Sequence, residues 1–204
     1  MLENGNTSIL ITLALKGKVS IYDMKKTALI AVIAIAVIAV ALGIFMTTKN
    51  PSSSNKVLLE TTEGNITIEL AGDMPITAGN FEKLVKQGVY DNVIFHRVID
   101  EFMIQGGDPT GTGYGDPSIP KIKDEFNGVQ ENNRGTIAMA NAGPNTGSSQ
   151  FFINLVDNNF LDGKHPVFGK VIDGMDVVDK IAKVETDSND KPLKDVTILR
   201  ASIV

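Results

Sequence analysis

A single arginine interrupts the apolar run VIFHRVI (93–99): Arg97, with His96 before it and the run FMIQG (102–106), carrying Gln105, after it. An arginine stays charged at every working pH and presents several N–H donors in a fixed fork. Its position between Phe95 and Val98 therefore implies either a half-exposed strand with a polar side or a donor aimed at something that binds. The conventional catalytic sets are absent. His96 and His165 are the only two histidines, no HExxH is present and cysteine is lacking, which excludes thiolate nucleophiles and argues against a transition-metal site. Ser148 and Ser149 do not stand in Gly-x-Ser-x-Gly. GTGYGD (111–116) fails the dinucleotide pattern at Asp116 and has no P-loop lysine, so a phosphate cradle is not expected.

Three stretches remain: FHRVI with FMIQGGD, then MANAGPNTGSSQFFI (139–153), then FLDGKHPVFGKV (160–171), with DEFN (124–127) between the first two. In their order and spacing they resemble the cyclophilin family of peptidyl-prolyl isomerases, over essentially all of residues 57–204. The resemblance implies an eight-stranded closed antiparallel barrel capped by two helices, acting on Xaa-Pro peptide bonds of folding proteins without metal or cofactor. It puts Arg97 on the catalytic arginine, with Gln105 and Asn141 holding it and the substrate backbone. Phe102, Met103, Phe152 and Leu161 fall on the walls of the proline pocket. His96, Ala140, Ala142, Gln150, Phe160 and His165 fall on other substrate-contacting positions. Phe160 departs from the tryptophan that many members carry, and with it goes an indole N–H donor, so tight cyclosporin binding is not expected. Taken singly, the apolar residues would read as core, His96 as a solvated strand face and His165 as a turn residue. Their joint occurrence favours the site. A non-catalytic proline-peptide-binding or scaffold module on the same barrel is the alternative.

A register follows if residues 100–102 form the turn after VIFHRVI. Ile99 then faces Met103 and Arg97 faces Gln105 on one side of the sheet, whereas a turn at Asp100-Glu101 alone would separate them.

The elements that must position these residues read as mainly β. Strands are expected at 57–62, 65–70, 93–99, 102–106, 136–141, 151–155, 167–172 and 196–204, between turn signals. NITIEL (65–70) alternates Ile66, Ile68 and Leu70 against polar residues, and Glu63-Gly64 is a hairpin turn signal. Two segments change to helical spacing. Phe81, Leu84 and Val85 form one stripe, with Thr77 as its cap and Gly88 as its stop. Met175, Val178, Ile181 and Ala182 form another, with Asp173 as N-cap. Between Gly107 and Gly135 lies a long Gly-, Pro- and Asp-rich connection, a length that usually signals function.

Upstream, Ala28 to Phe45 reads ALIAVIAIAVIAVALGIF without a charge. With its neighbours it reaches the about 20 residues that span about 30 Å of hydrocarbon. The expected organisation is a cytoplasmic segment 1–26, a transmembrane signal anchor 27–46, a serine-rich flexible linker 47–56 and the isomerase domain 57–204. Lys16, Lys18, Lys25 and Lys26 before the run, against Lys49 after it, predict an extracytoplasmic domain. No Ala-x-Ala-like site follows the run, which disfavours cleavage, and Met24 is a second candidate start. The net charge of −5 carries no nucleic-acid footprint. The expected partners are proline-containing peptide segments and the membrane, and the domain is expected to be monomeric.

Overall fold

A computed structural model describes residues 56–127 and 131–204. The first two strands, β1 (Lys56–Thr61) and β2 (Gly64–Leu70), form a hairpin pairing Thr61 with Gly64, so the turn is Thr62-Glu63, one residue earlier than the sequence signal. Strict alternation buries Val57 and Leu59 opposite Ile68 and Ile66. Helix α1 (Thr77–Lys86) packs Phe81, Leu84 and Val85 inward. It ends in a Schellman motif at Gly88, which has a φ of +69°: Gly88 N–H donates to Val85 O and Val89 N–H to Leu84 O.

The remaining strands are β3 (Val93–Ile94), β4 (Arg97–Ile99), β5 (Met103–Gly106), β6 (Thr136–Met139), β7 (Phe151–Asn154), β8 (Val167–Asp173) and β9 (Thr197–Ile203). A 3-10 turn (Asn159–Leu161) precedes β8, and α2 (Met175–Ala182) follows it. All paired strands are antiparallel, in one sheet of order β3-β9-β1-β2-β8-β6-β7-β5-β4. The expected closed ladder of eight strands is thus a curled sheet of nine among the described residues, because the segment 93–99 is two strands and not one.

The break lies at Phe95-His96. Phe95 N–H donates to Val196 O on the β9 side, whereas Val98 N–H donates to Asp190 O. Val93 and Phe95 are buried inward, but the next inward residue is Val98. One extra residue has entered the alternation, as in a β-bulge. A continuous strand would have turned Arg97 into the core with Phe95.

Inside the sheet, Phe81 meets the rings of Tyr90, Phe151 and Phe168 at 4.9, 5.4 and 5.1 Å, an edge-and-tilt arrangement suited to aromatic quadrupoles. Val178, Ile181 and Ala182 of α2 join the same core. Two expected caps are replaced. Thr77 does not cap α1; Glu125 Oε2 accepts Ile76 N–H at 3.0 Å and Thr77 N–H at 2.9 Å. Gly174, left-handed at φ +83°, precedes α2 where Asp173 was expected to cap. Among the described residues no helix is long and apolar enough to cross a membrane. The expected span 27–46, with the segments 1–26 and 47–55, lies outside them.

Candidate active site

The outer face of the sheet carries a second apolar cluster, separate from the core. Met103, Ala138, Phe152 and Val167 are buried in it, and Ile99, Phe102, Ala140 and Leu161 pack against them. The ladder explains the grouping. Arg97 pairs with Gln105, Gln105 with Phe152, Phe152 with Ala138, and Ala138 with Val167, one residue from each of β4, β5, β7, β6 and β8. Directly opposed residues share a face, so a cross-strand row runs from a charged donor, over an amide, to an apolar floor. Ile99 pairs with Met103 in the next row. The turn 100–102 makes this register: Glu101 takes φ +57° and Phe102 N–H donates to Ile99 O at 3.1 Å.

Asparagines buried behind the cluster hold its rim. Asn158 Nδ2 donates to Phe102 O at 2.9 Å and to Asn154 Oδ1, while Asn154 Nδ2 donates to Thr136 Oγ1 at 2.9 Å. His165 packs its ring edge-on to Phe152 at 5.4 Å, with Nδ1 3.1 Å from Met139 O. Phe160 lies over Phe102, the rings stacked at 5.9 Å, and remains 63% exposed. The residues expected to wall a proline site thus come together as one apolar recess rimmed by two rings.

Beside this recess a cleft of about 680 Å³ is lined by Gln105, Gln150, Ala140, Asn141 and Ala142 together with loop residues 113–117 and 119–121. Gln105 Nε2 donates to Gln150 Oε1 at 2.9 Å, and Gln150 Nε2 donates to Gly113 O at 3.0 Å. The loop is anchored by the buried Asp108, whose carboxylate accepts N–H groups of Thr110, Gly113 and Gly115 and the hydroxyl of Thr110. Burial alone would raise the Asp108 carboxyl, but these hydrogen bonds outweigh it and hold it below the ordinary range.

Two expected residues have other partners than the sequence suggested. Asn141 bonds neither Arg97 nor Gln105; its Nδ2 donates to Lys164 O at 2.8 Å, tying the two rim loops together. His96 is buried, its Nδ1 without a partner among the described residues and its ring against the backbone of Gly113. Burial lowers its pKa below the ordinary 6.5, opposed by nearby Asp108 and reinforced by the charges of Arg97 and Lys191. The side chain that does reach Arg97 was not foreseen: Arg97 Nε lies 3.4 Å from Asp190 Oδ2. Ala138 and Val167 were also missed, although alternation back from Ala140 carried a signal for the first.

Such an arrangement has no nucleophile paired with a base. It offers an apolar recess, amide donors and acceptors along one side, and a permanent cation at one end, which suits gripping and twisting a peptide more than cleaving it.

Comparisons with known proteins bear on the family and the fold. The sequence profile described as cyclophilin type peptidyl-prolyl cis-trans isomerase/CLD matches residues 56–203. A peptidyl-prolyl cis-trans isomerase-like 1 of Gibberella zeae is 47% identical over 155 residues, which cover 74% of this chain and 96% of that protein. A peptidyl-prolyl cis-trans isomerase of Arabidopsis thaliana is 45% identical over 163 residues, covering 78% of this chain and 99% of its own. A crystal structure of a Cryptosporidium parvum cyclophilin type peptidyl-prolyl cis-trans isomerase superposes with a TM-score of 0.70 at 36% identity, covering 74% of this chain and 97% of that one. That protein has also been crystallised in the presence of the dipeptide Ala-Pro.

Proposed function

The chain belongs to the cyclophilin-type peptidyl-prolyl cis-trans isomerase family, and from that premise we propose that Arg97 is the catalytic donor and the recess around Phe152 the proline site. The reaction itself, rotation about an Xaa-Pro peptide bond, breaks no bond. Its barrier, about 18–20 kcal/mol, arises because nitrogen shares its lone pair with the carbonyl. Before proline the two isomers lie within about 1 kcal/mol, so the whole task is to lower that barrier. In the twisted state nitrogen becomes pyramidal and regains a lone pair that accepts a hydrogen bond.

The proline ring enters the recess of Phe102, Met103, Phe152 and Leu161. Arg97, at the end of the same cross-strand row, donates to the nitrogen as it twists. Gln105, held by Gln150, and the cleft beside it engage the peptide flank. An acceleration of about 10⁶ requires roughly 8 kcal/mol of differential binding. One hydrogen bond to a charged group contributes about 1.5–3 kcal/mol, so the shaped recess and the held flank supply most of the effect. The observation that carries this reading is the row Arg97–Gln105–Phe152–Ala138, a charged donor and an apolar floor in register on one face.

The test compares the full chain with Arg97→Ala on an Ala-Pro-containing peptide. The substitution lowers kcat/KM by about 10- to 100-fold and leaves the thermal midpoint unchanged. Equal rates would remove Arg97 from the mechanism.

We further propose that residues 27–46 anchor the chain in a membrane with the isomerase domain on the extracytoplasmic side, where it assists exported or surface proteins. The uncharged run 28–45 and the lysine bias before it support this reading.

A further inference from the structure

Asp190 is half-buried in a turn, far in sequence from the strands of the site, yet its carboxylate is the one protein group bonded to the Arg97 guanidinium among the described residues. The turn that presents it is tightly made. Asp187 Oδ1 accepts the N–H groups of Asn189 at 2.8 Å and Lys191 at 3.0 Å. Asp187 N–H donates to Lys191 O, and Asp190 N–H donates to Asp187 O. The turn is then fastened to the site strand itself, because Val98 N–H donates to Asp190 O at 2.8 Å. The backbone of Asp190 is therefore bonded to the residue next to Arg97 while its side chain meets Arg97.

The conformation makes the choice of residue informative. Asp190 holds φ +63°, a left-handed position that glycine adopts without strain and that a residue with a Cβ occupies at a cost. The ion pair offers little stability in return: both side chains are 43% exposed, and pairs of that kind contribute little. What the carboxylate does achieve is orientation. It engages Nε, on the strand side of the guanidinium, and the two terminal nitrogens make no protein hydrogen bond among the described residues. A flexible four-bond side chain is thereby restricted, with its terminal donors left to the recess.

We propose that Asp190 is the positioning residue for Arg97, holding the guanidinium by Nε so that its terminal N–H groups face the twisting peptide nitrogen. This rests on Arg97 being the catalytic donor, and the experiment separates the two. Steady-state kinetics on an Ala-Pro-containing peptide, with thermal midpoints, are measured for the full chain, Asp190→Asn, Asp190→Gly, Arg97→Ala, and each Asp190 variant combined with Arg97→Ala.

Both single Asp190 variants lower kcat by about five-fold, the upper end of what one exposed ion pair contributes, lost here as orientation of the donor, while KM stays at the wild-type value. The midpoint of Asp190→Gly equals or exceeds wild type, because glycine relieves the left-handed strain. A merely structural turn residue would lower midpoint and activity together. In the Arg97→Ala background neither Asp190 change lowers the residual rate further, since there is no guanidinium left to orient.

Wild-type kcat in both single variants overturns the proposal, and so does an equal fall in the Arg97→Ala background. Arg97→Ala running at the wild-type rate overturns instead the assignment of Arg97 on which the proposal rests.

Discussion

His96 explains how an arginine can stand inside an apolar strand. Val93 and Phe95 are buried on one side of the strand, so regular alternation would have carried Arg97 in with them. The chain breaks at Phe95-His96, buries the imidazole beneath the Gly113 loop and delivers Arg97 to the outer face. Phe95 and His96 thus trade the continuity of one strand for the orientation of one side chain. The imidazole that results is held neutral, because burial depresses it below 6.5 despite the attraction of Asp108. The unfolded chain takes up a proton there as the pH falls below about 6.5, while the folded chain does not. Stability contributed by the neutral imidazole is therefore complete above that pH. It is lost as the pH falls toward the lowered folded value, below which this group adds no further slope. Urea midpoints measured from pH 7.5 to 5 should fall for the wild type and lose part of that dependence in His96→Leu. A profile unchanged by the substitution would place the titration elsewhere.

At the level of elements, what was legible in the sequence is what neighbours decide. Gly88 was expected to stop α1 and does so, because both bonds of its motif reach back only to Val85 and Leu84. The register of β4 on β5 followed from the turn 100–102 alone, and it is the register that puts Arg97 opposite Gln105. Thr77 failed as a cap because a better acceptor arrives from far along the chain. Glu125 brings a charged oxygen to a helix N-terminus that has no acid of its own in its first turn, and it leaves the buried Thr77 hydroxyl without a partner among the described residues. Asp190 was missed for the same reason, since no local pattern announces a contact across the fold. The cap has a measurable consequence. Glu125→Ala strips two N–H groups of their acceptor and should lower unfolding free energy by about 2 kcal/mol. Thr77→Val removes a hydroxyl that bonds nothing and should change it by less than about 0.5 kcal/mol. Urea unfolding of the two variants ranks them; the opposite order would return the cap to Thr77.

For the whole molecule, the two faces of one sheet have different duties. Among the described residues the inner face and both helices make the core, and the outer face of β4, β5, β7, β6 and β8 carries the candidate site. Fold class was legible because the alternation, the helical stripes and the motifs all agreed; the ninth strand was not, because VIFHRVI is apolar throughout and hides its own break. The family match covers 56–203, and the upstream run 28–45 lies before it. Eighteen residues without a charge are expensive to keep in water and too uniformly apolar for one face of a packed helix. A bilayer would satisfy every face of the proposed membrane helix at once. In the proposed topology the lysines before the run set the direction, with the isomerase domain across the membrane from them. In cells expressing the full chain, the protein should sediment with membranes through a high-salt wash, and protease added outside the cytoplasmic membrane should digest residues 56–204. A variant with two arginines placed within 28–45 should leave the membrane fraction. Sedimentation of both forms with the soluble protein would overturn the anchor, and a domain that resists outside protease until the membrane is opened would reverse its orientation.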